Sequence, residues 1–437
     1  MTCISQRQNK LVFVAVIFAI ILSILFVSGP AEAKTLQAKR QISSRALRAM
    51  ARVYMAYGEY DKAQPLAERA LSYAKKNNAP DSELSACLID LAWLYRYQGK
   101  LLQAQDFCRE GLQLQQKALG PEHPYVAYTL RTQASIYQEL AQYPLAAESL
   151  DNALTIMRLY HGPDDRVIAP FNVDIANFLV ATGSLNQAEE LYTHAFTLIN
   201  EAYGPEHLYT AKVMLNFARL YTLQENYADA EQLIEKATPT FQQIYDGDNY
   251  AMAPIYLTKA KIFQAKQNYD QAEQLVHKAV TILQEKYKEP HPATAKALSS
   301  LAQLYFDAGK TDHAYKTCKH ALEMFQNTLG SDNDHTAGAE LAMAKIQIRL
   351  GKFEQAKTLC QNALKTYESI FDQNHPKLEP AMKTLFMLYQ QTENYTEAAE
   401  VAQRILNIQK PEQIALAPVA KVLKQTNIAE KEIEHDF

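Results

Sequence analysis

Four histidines, His123, His207, His291 and His375, stand 84 residues apart, with Asp165, Asn249 and Asn333 at the midpoints. Nitrogen and oxygen donors on so regular a spacing raise the possibility of a metal array, since zinc takes such ligands at about 2 Å. Proline follows directly at Pro124, Pro292 and Pro376. Asp and Asn are favoured helix N-caps and proline suits the first helical position, so the same residues read as helix starts. Starts two helix pairs apart lie roughly 20 Å apart if helices pack at about 8–10 Å. No metal is expected.

Four cysteines lie beyond the N-terminal segment: Cys87, Cys108, Cys318 and Cys360. The last three share one periodic position with Leu150, Tyr192, Ile234 and Val276, which marks it as core. Equivalent helices about 8–10 Å apart exceed the Cα separation of about 7 Å that a disulfide tolerates, so buried thiols are expected. There is no phosphate-binding loop, dinucleotide turn, His-Glu-x-x-His or Gly-x-Ser-x-Gly motif. The expectation is a protein with no catalytic residues and no cofactor.

The elements that position these residues repeat. Seven segments of one design, LGPEHPYVA at 119, HGPDDRVIA at 161, YGPEHLYTA at 203, YDGDNYAMA at 245, YKEPHPATA at 287, LGSDNDHTA at 329 and FDQNHPKLE at 371, follow one another every 42 residues. Two further copies lie upstream, making nine units. One small position holds Ala51, Ala92, Ala134, Ala176, Ala218, Ala260, Ala302 and Ala344 and fails at Phe386; a second is alanine in all nine, from Ala63 to Ala398. A large residue, usually aromatic, follows three places after the first alanine, as at Tyr54, Tyr95 and Tyr137. Within residues 125–160, Leu130, Ala134, Tyr137 and Leu140 form one helical face and Leu145, Leu150, Ala153 and Leu154 another. Gly58, Gly99, Gly183, Gly309 and Gly351 suit helix C-termini. Each unit is therefore a helix hairpin, and stacked hairpins that touch only their neighbours make a solenoid. Pro239 falls late in the second helix of the fifth unit, where a kink or an early helix end is expected.

The alanine, aromatic, glycine and alanine spacing in a helix hairpin resembles the tetratricopeptide repeat, and the 42-residue period with Gly-Pro-Glu-His-Pro junctions is similar to the kinesin light chain variety. The resemblance implies an all-α, right-handed superhelical solenoid of about nine hairpins over residues 44–410. It also implies that first helices line a concave groove for peptides or protein segments.

The first helix of each unit has a face outside the core, at positions two, five, six, nine, twelve and thirteen of the repeat. Over nine repeats this face carries Arg45, Arg48, Arg52, Arg96, Arg131, Lys212, Arg219, Lys261, Lys296, Lys345, Arg349 and Lys383, against Asp90, Glu139, Asp174 and Asp307. A groove of about +8 focuses potential on acidic ligands. The alternative for the same charges is a solvated face. Trp93, the only tryptophan, shares the face with Tyr97 and Tyr128 beside Arg96 and Arg131, residue types that carry binding energy at interfaces. Its alternative is packing within the stack. Asn177 and Asn216 stand where tetratricopeptide carboxylate clamps place asparagine, but Val173, Pro254 and Thr258 replace the basic members, and Lys212, Arg219 and Lys261 could substitute only in a different geometry.

The remaining segments bound the setting. Arg7 and Lys10 precede an apolar run from Leu11 to Val27 and the triplet Ala31-Glu32-Ala33, which reads as a signal peptide over 1–33 or, uncleaved, as a membrane anchor through 11–27. The chain is then exported, periplasmic or secreted, or held at the inner membrane. Residues 34–43 form a linker, and 411–437 a capping helix and acidic tail. With 44 basic and 48 acidic residues there is no charge signature for nucleic acid. The sequence thus predicts a scaffold or adaptor binding an acidic peptide or protein segment. Sensing of a small molecule or glycan, and end-to-end assembly, are the competing readings.

Overall fold

The computed structural model describes residues 43–408 apart from 57, 162–164, 246–248 and 374. The signal or anchor segment, linker residues 34–42, and the capping helix and tail over 411–437 lie outside the described residues. Among the described residues, eighteen α-helices follow in nine hairpins. They are α1 (Ser44–Ala56) with α2 (Tyr60–Lys76), α3 (Asp81–Tyr97) with α4 (Leu101–Leu119), α5 (Pro124–Glu139) with α6 (Tyr143–His161), α7 (Asp165–Thr182) with α8 (Leu185–Tyr203), and α9 (Leu208–Leu223) with α10 (Tyr227–Tyr245). Then come α11 (Ala253–Ala265) with α12 (Tyr269–Lys286), α13 (Pro292–Asp307) with α14 (Thr311–Leu329), α15 (Asp334–Arg349) with α16 (Phe353–Ile370), and α17 (Glu379–Gln391) with α18 (Tyr395–Leu406). The chain is an all-α solenoid.

Local chemistry sets each boundary. At the junctions between hairpins the imidazole Nδ1 of His123, His207, His291 and His375 accepts from the backbone N–H two residues on, at 3.1–3.2 Å. Asn249 and Asn333 do the same through Oδ1 at 3.2 and 2.9 Å. Within hairpins, the turn residue takes a left-handed conformation, and the following N–H returns to a carbonyl of the last helical turn, as from Lys100 to Tyr95 at 2.9 Å. The alanines of both periodic positions are buried between the helices they join. Cys108 and Cys318 are buried with Sγ against the carbonyls of Thr129 and Ala339 of the next repeat, and burial pushes both thiols up to about 12. The expected early helix end at Pro239 is not found. α10 continues to Tyr245, because Phe241, two residues beyond the proline, is buried and ties the last turn into the core.

First helices of neighbouring hairpins touch one another and second helices make no comparable contact, so the first helices lie on the inside of the curve. The curve is tight enough that, after about four and a half repeats, the solenoid meets itself. His291 Nε2–H donates to the Tyr97 carbonyl at 3.1 Å across 194 residues, and Asn333 Nδ2 to the Glu139 carbonyl at 3.1 Å across the same separation. Tyr143 donates to Asp334 Oδ2 at 2.7 Å and stacks on Phe371. Lys286 lies over the rings of Tyr60 and Tyr250, and Lys377 reaches Gly183. The hydrogen bonds, Tyr250 and Lys377 join the hairpin turn of one repeat to the junction entering the fifth repeat after it, while Lys286 and Phe371 reach the same turns from the junction one repeat further on. One buried apolar cluster consequently contains residues of repeats three to five together with those of repeats eight and nine.

Two stability predictions follow from this packing. His291 is both a cap and a seam donor whereas His123 is only a cap. His291→Ala should cost about 2 kcal/mol and His123→Ala about 1 in urea titrations. Glu340, on α15, is buried and makes no hydrogen bond or ion pair among the described residues, and burial pushes its carboxyl up to about 7. An unfolded carboxyl ionises near pH 4.3. Between those values the folded chain keeps a proton that the unfolded chain has released, so stability falls as pH rises through the window. Glu340→Gln should raise stability at pH 8 by roughly 1–3 kcal/mol and leave it unchanged at pH 4, as read from thermal melts at both pH values.

Candidate functional site

The concave face is built by positions that recur one helix per repeat, so a side chain on one first helix faces its counterparts at 42-residue steps. Its acids are used between repeats. Asp90 on α3 receives Arg48 and Arg52 of α1, both at 2.7 Å, and is only 5% exposed. Glu139 on α5 receives Arg96 of α3 at 2.7 Å, and Asp174 on α7 pairs with Arg131 of α5. Arg45 pairs with Glu83 at 3.4 Å. Asp307 on α13 accepts from Gln264 of α11 at 2.5 Å. This ladder neutralises the arginines of the first three repeats, and partly buried pairs of this kind hold their geometry better than surface pairs.

Aromatic rings fill the same region. The Trp93 indole N–H donates to Thr132 Oγ1 of the next repeat at 2.8 Å, which anchors the ring, yet 44% of the residue remains exposed. It therefore does not pack away within the stack. Tyr97 lies tilted beside it at 6.1 Å and stacks on Tyr60 at 5.6 Å. Arg96 lies over the Tyr97 ring, and Arg131 over both Tyr128 and Phe171. Tyr128 is also exposed. Trp93, Tyr97 and Tyr128 thus present ring surface on one side while their other contacts keep them fixed.

Further along, Lys383 pairs with Glu379 and Arg349 donates to the Phe306 carbonyl, but five cations have no acidic mate. Lys212 and Arg219 on α9, Lys261 on α11, Lys296 on α13 and Lys345 on α15 form no ion pair among the described residues. Because the solenoid closes on itself, some of them converge. Burial holds the Lys296 amine below its ordinary value; Arg219 and Arg96 press the same way, and Glu139 and Asp334 oppose. Burial likewise pulls down Lys212 and Lys377. His335 is lowered to about 4, first by burial and then by Lys296, Lys377 and Arg219, with Asp334 opposing. Lys296, Lys377 and Arg219, from two separate repeats and a junction, therefore all lie within electrostatic reach of His335.

The sequence-predicted residues divide accordingly. Arg45, Arg48, Arg52, Arg96 and Arg131 lie on the concave face but in ion pairs, whereas Lys212, Arg219 and Lys261 lie on it without them. Asn177 accepts from the Tyr192 hydroxyl at 2.5 Å, so its amide oxygen is taken by its own repeat. Asn216, on the same helix as Lys212 and Arg219, is partly buried. Sequence reading missed Lys377 and His335, which belong to junctions and enter the concave space only through closure of the superhelix. It also left Lys296 and Lys345 unselected among the basic residues of the face.

Removing Asp90 tests the ladder. It leaves Arg48, which is 15% exposed, desolvated and unpaired. Asp90→Ala should therefore cost about 3 kcal/mol and Asp174→Ala, whose partner is more exposed, about half as much, measured by chemical denaturation.

Known proteins agree with this architecture. The family model described as tetratricopeptide repeat matches residues 43–111, 96–159 and 167–243, and that described as MalT-like TPR region matches 207–426. No curated protein matches the chain in sequence. Among solved structures, a Rap protein complexed with Competence and Sporulation Factor aligns with a TM-score of 0.61 at 16% identity, over 84% of this chain and 97% of that one. A putative kinesin light chain with nearly identical TPR-like repeats from Podosopora anserina aligns at 0.38 and 19% identity, over 48% and 99%. BtubC (BKLC) from P. vanneervenii aligns at 0.39 and 18%, over 53% and 92%. With matches spanning nearly every repeat, the chain belongs to the tetratricopeptide repeat family.

Proposed function

We propose that the chain is a non-catalytic scaffold that holds an acidic peptide or protein segment along its concave face, and that residues 1–33 direct it out of the cytoplasm. The observation that carries the reading is the set of unpaired cations, Lys212, Arg219, Lys261, Lys296 and Lys345, on a face where Asp90, Glu139 and Asp174 are already committed to arginines and Asp307 to glutamines. Like charges on a concave face with no acid beside them repel one another, and an incoming carboxylate relieves that repulsion. The exposed rings of Trp93 and Tyr128, on first helices of the same face, offer apolar contact to the same ligand. The similar Rap protein was solved in complex with Competence and Sporulation Factor, and capture of a partner is the activity we assign here too.

Trp93, as the sole tryptophan, reports on the site. Titration with a glutamate-rich peptide should shift its emission, and affinity should fall steeply with salt. Charge reversal at Arg219 and Lys296 should weaken binding by about tenfold or more, equivalent to at least 1.4 kcal/mol. Asp174→Asn, which releases Arg131, should tighten it severalfold. Binding indifferent to salt and to both changes would defeat the acidic-segment reading.

A further inference from the structure

The seam between superhelical turns follows a rule, and the rule leaves half of its parts unused. Hairpin turns of repeats one to four receive the junctions entering repeats six to nine. Turns of repeats five to nine have no later junction among the described residues, and the junctions entering repeats two to five have no earlier turn. Equivalent residues accordingly differ in fate. Phe371 is 8% exposed in the seam, while Tyr203, at the same repeat position, is 54% exposed. Tyr143, which opens the second helix of its hairpin, is 5% exposed, while Tyr395, which does so in the last repeat, is 67% exposed. His291 Nε2–H is spent on a carbonyl of the preceding superhelical turn, while Nε2 of His123 and of His207 has no partner among the described residues.

The turns carry a second record of this. All nine take the left-handed conformation, yet glycine is not required by it, since Ala141, Glu225, Gln267 and Glu393 adopt it too. Where the seam forms, the turn residue is small. A Cβ at Gly58 would lie 2.7 Å from Tyr250 Oη and one at Gly99 2.6 Å from Pro292 Cδ. The open turns of repeats five, six and nine hold Glu225, Gln267 and Glu393, but those of repeats seven and eight keep Gly309 and Gly351, with nothing within 4 Å of either.

We infer that the open junctions and the open turns are the two halves of one interface, and that the chain stacks head to tail on a second copy of itself. In the seam's own register, a following copy that takes the place of repeats ten onward sets the junction entering its third repeat, His123 to Tyr125, on the Gly309 turn. The His123 Nε2–H then meets the Asp307 carbonyl, as His291 meets that of Tyr97. The junction entering its fifth repeat, Tyr203 to His207, faces Tyr395 and the Glu393 carboxylate. Exposed Glu122, Glu201 and Glu206 border the junction side, and exposed Lys310, Arg349 and Lys352 the turn side. An interface of this kind does not close by symmetry and extends into a filament.

The test uses the chain as recovered from its host, in static light scattering and sedimentation over a range of concentrations. Mass should grow with concentration. A junction variant, His123→Asp with Tyr125→Glu, and a turn variant, Gly309→Glu with Gly351→Glu, should each be monomeric. The glutamates reproduce a residue that other turns of this chain already accept, and circular dichroism melts verify folding. Mixed together, each variant still holds the half the other has lost, so a 1:1 dimer, and nothing larger, should form. A wild-type chain that stays monomeric at every concentration overturns the inference. So does assembly that survives in either variant alone, or a mixture that fails to pair.

Discussion

Helices in this chain are brought close by alanine. The two periodic positions put methyl groups where each helix meets its neighbours, so axes approach closely and at nearly the same angle in every repeat. A constant angle per repeat accumulates. Over four to five repeats it brings the hairpin turns of the early repeats against the junctions of the later ones, and the seam of Tyr97 with His291, Glu139 with Asn333 and Tyr143 with Asp334 is the result. A larger residue at one alanine would change the local angle, and the error would be felt at the seam as well as at the site. Phe386, the one exception to the first position, sits in the last repeat, beyond which no further described repeat would inherit the change.

The same curvature decides how charge is used. A straight stack would leave the concave cations strung along a solvated face, where salt screens them and each contributes little. Curling it brings Arg96 of the second repeat and Arg219 of the fifth near enough to Lys296 of the seventh to add to the lowering that burial imposes on its amine. Ion pairs between adjacent repeats relieve part of that repulsion in the first half of the array. The second half has too few acids on the face to do so. The imbalance is a property of the folded superhelix, because the ladder acids Asp90, Glu139 and Asp174 all lie within the first four repeats.

What the sequence made legible follows the range of the interaction. Alanine spacing, left-handed turns and capped junctions are local, and helix hairpins could be read from them almost residue by residue. The arginine and acid partners were visible as members of one face. Their pairing was not, because it joins position five to six, or twelve to thirteen, one repeat on, and depends on the offset between stacked helices. The seam lay further out of reach. His123 and His291 occupy identical positions in similar segments, yet one is an exposed cap and the other a buried donor to a carbonyl 194 residues away. Only the summed rotation of the intervening repeats distinguishes them. Lys377 was passed over for the same reason, as a junction residue with no apparent route to the concave side.

Glycine at the hairpin turns shows how a local reading can be right and still incomplete. Left-handed backbone explains why glycine is favoured there, but Glu225, Gln267 and Glu393 hold the same conformation with full side chains. Conformation alone therefore costs little enough to be tolerated at four turns, Ala141 included. Close approach of another superhelical turn is not tolerated, as the clearances at Gly58 and Gly99 show. At those two positions the glycine is fixed by a contact between distant repeats. At Gly309 and Gly351 the backbone requirement is no stronger than at the turns occupied by glutamate and glutamine, and the space beside them is empty in the single chain.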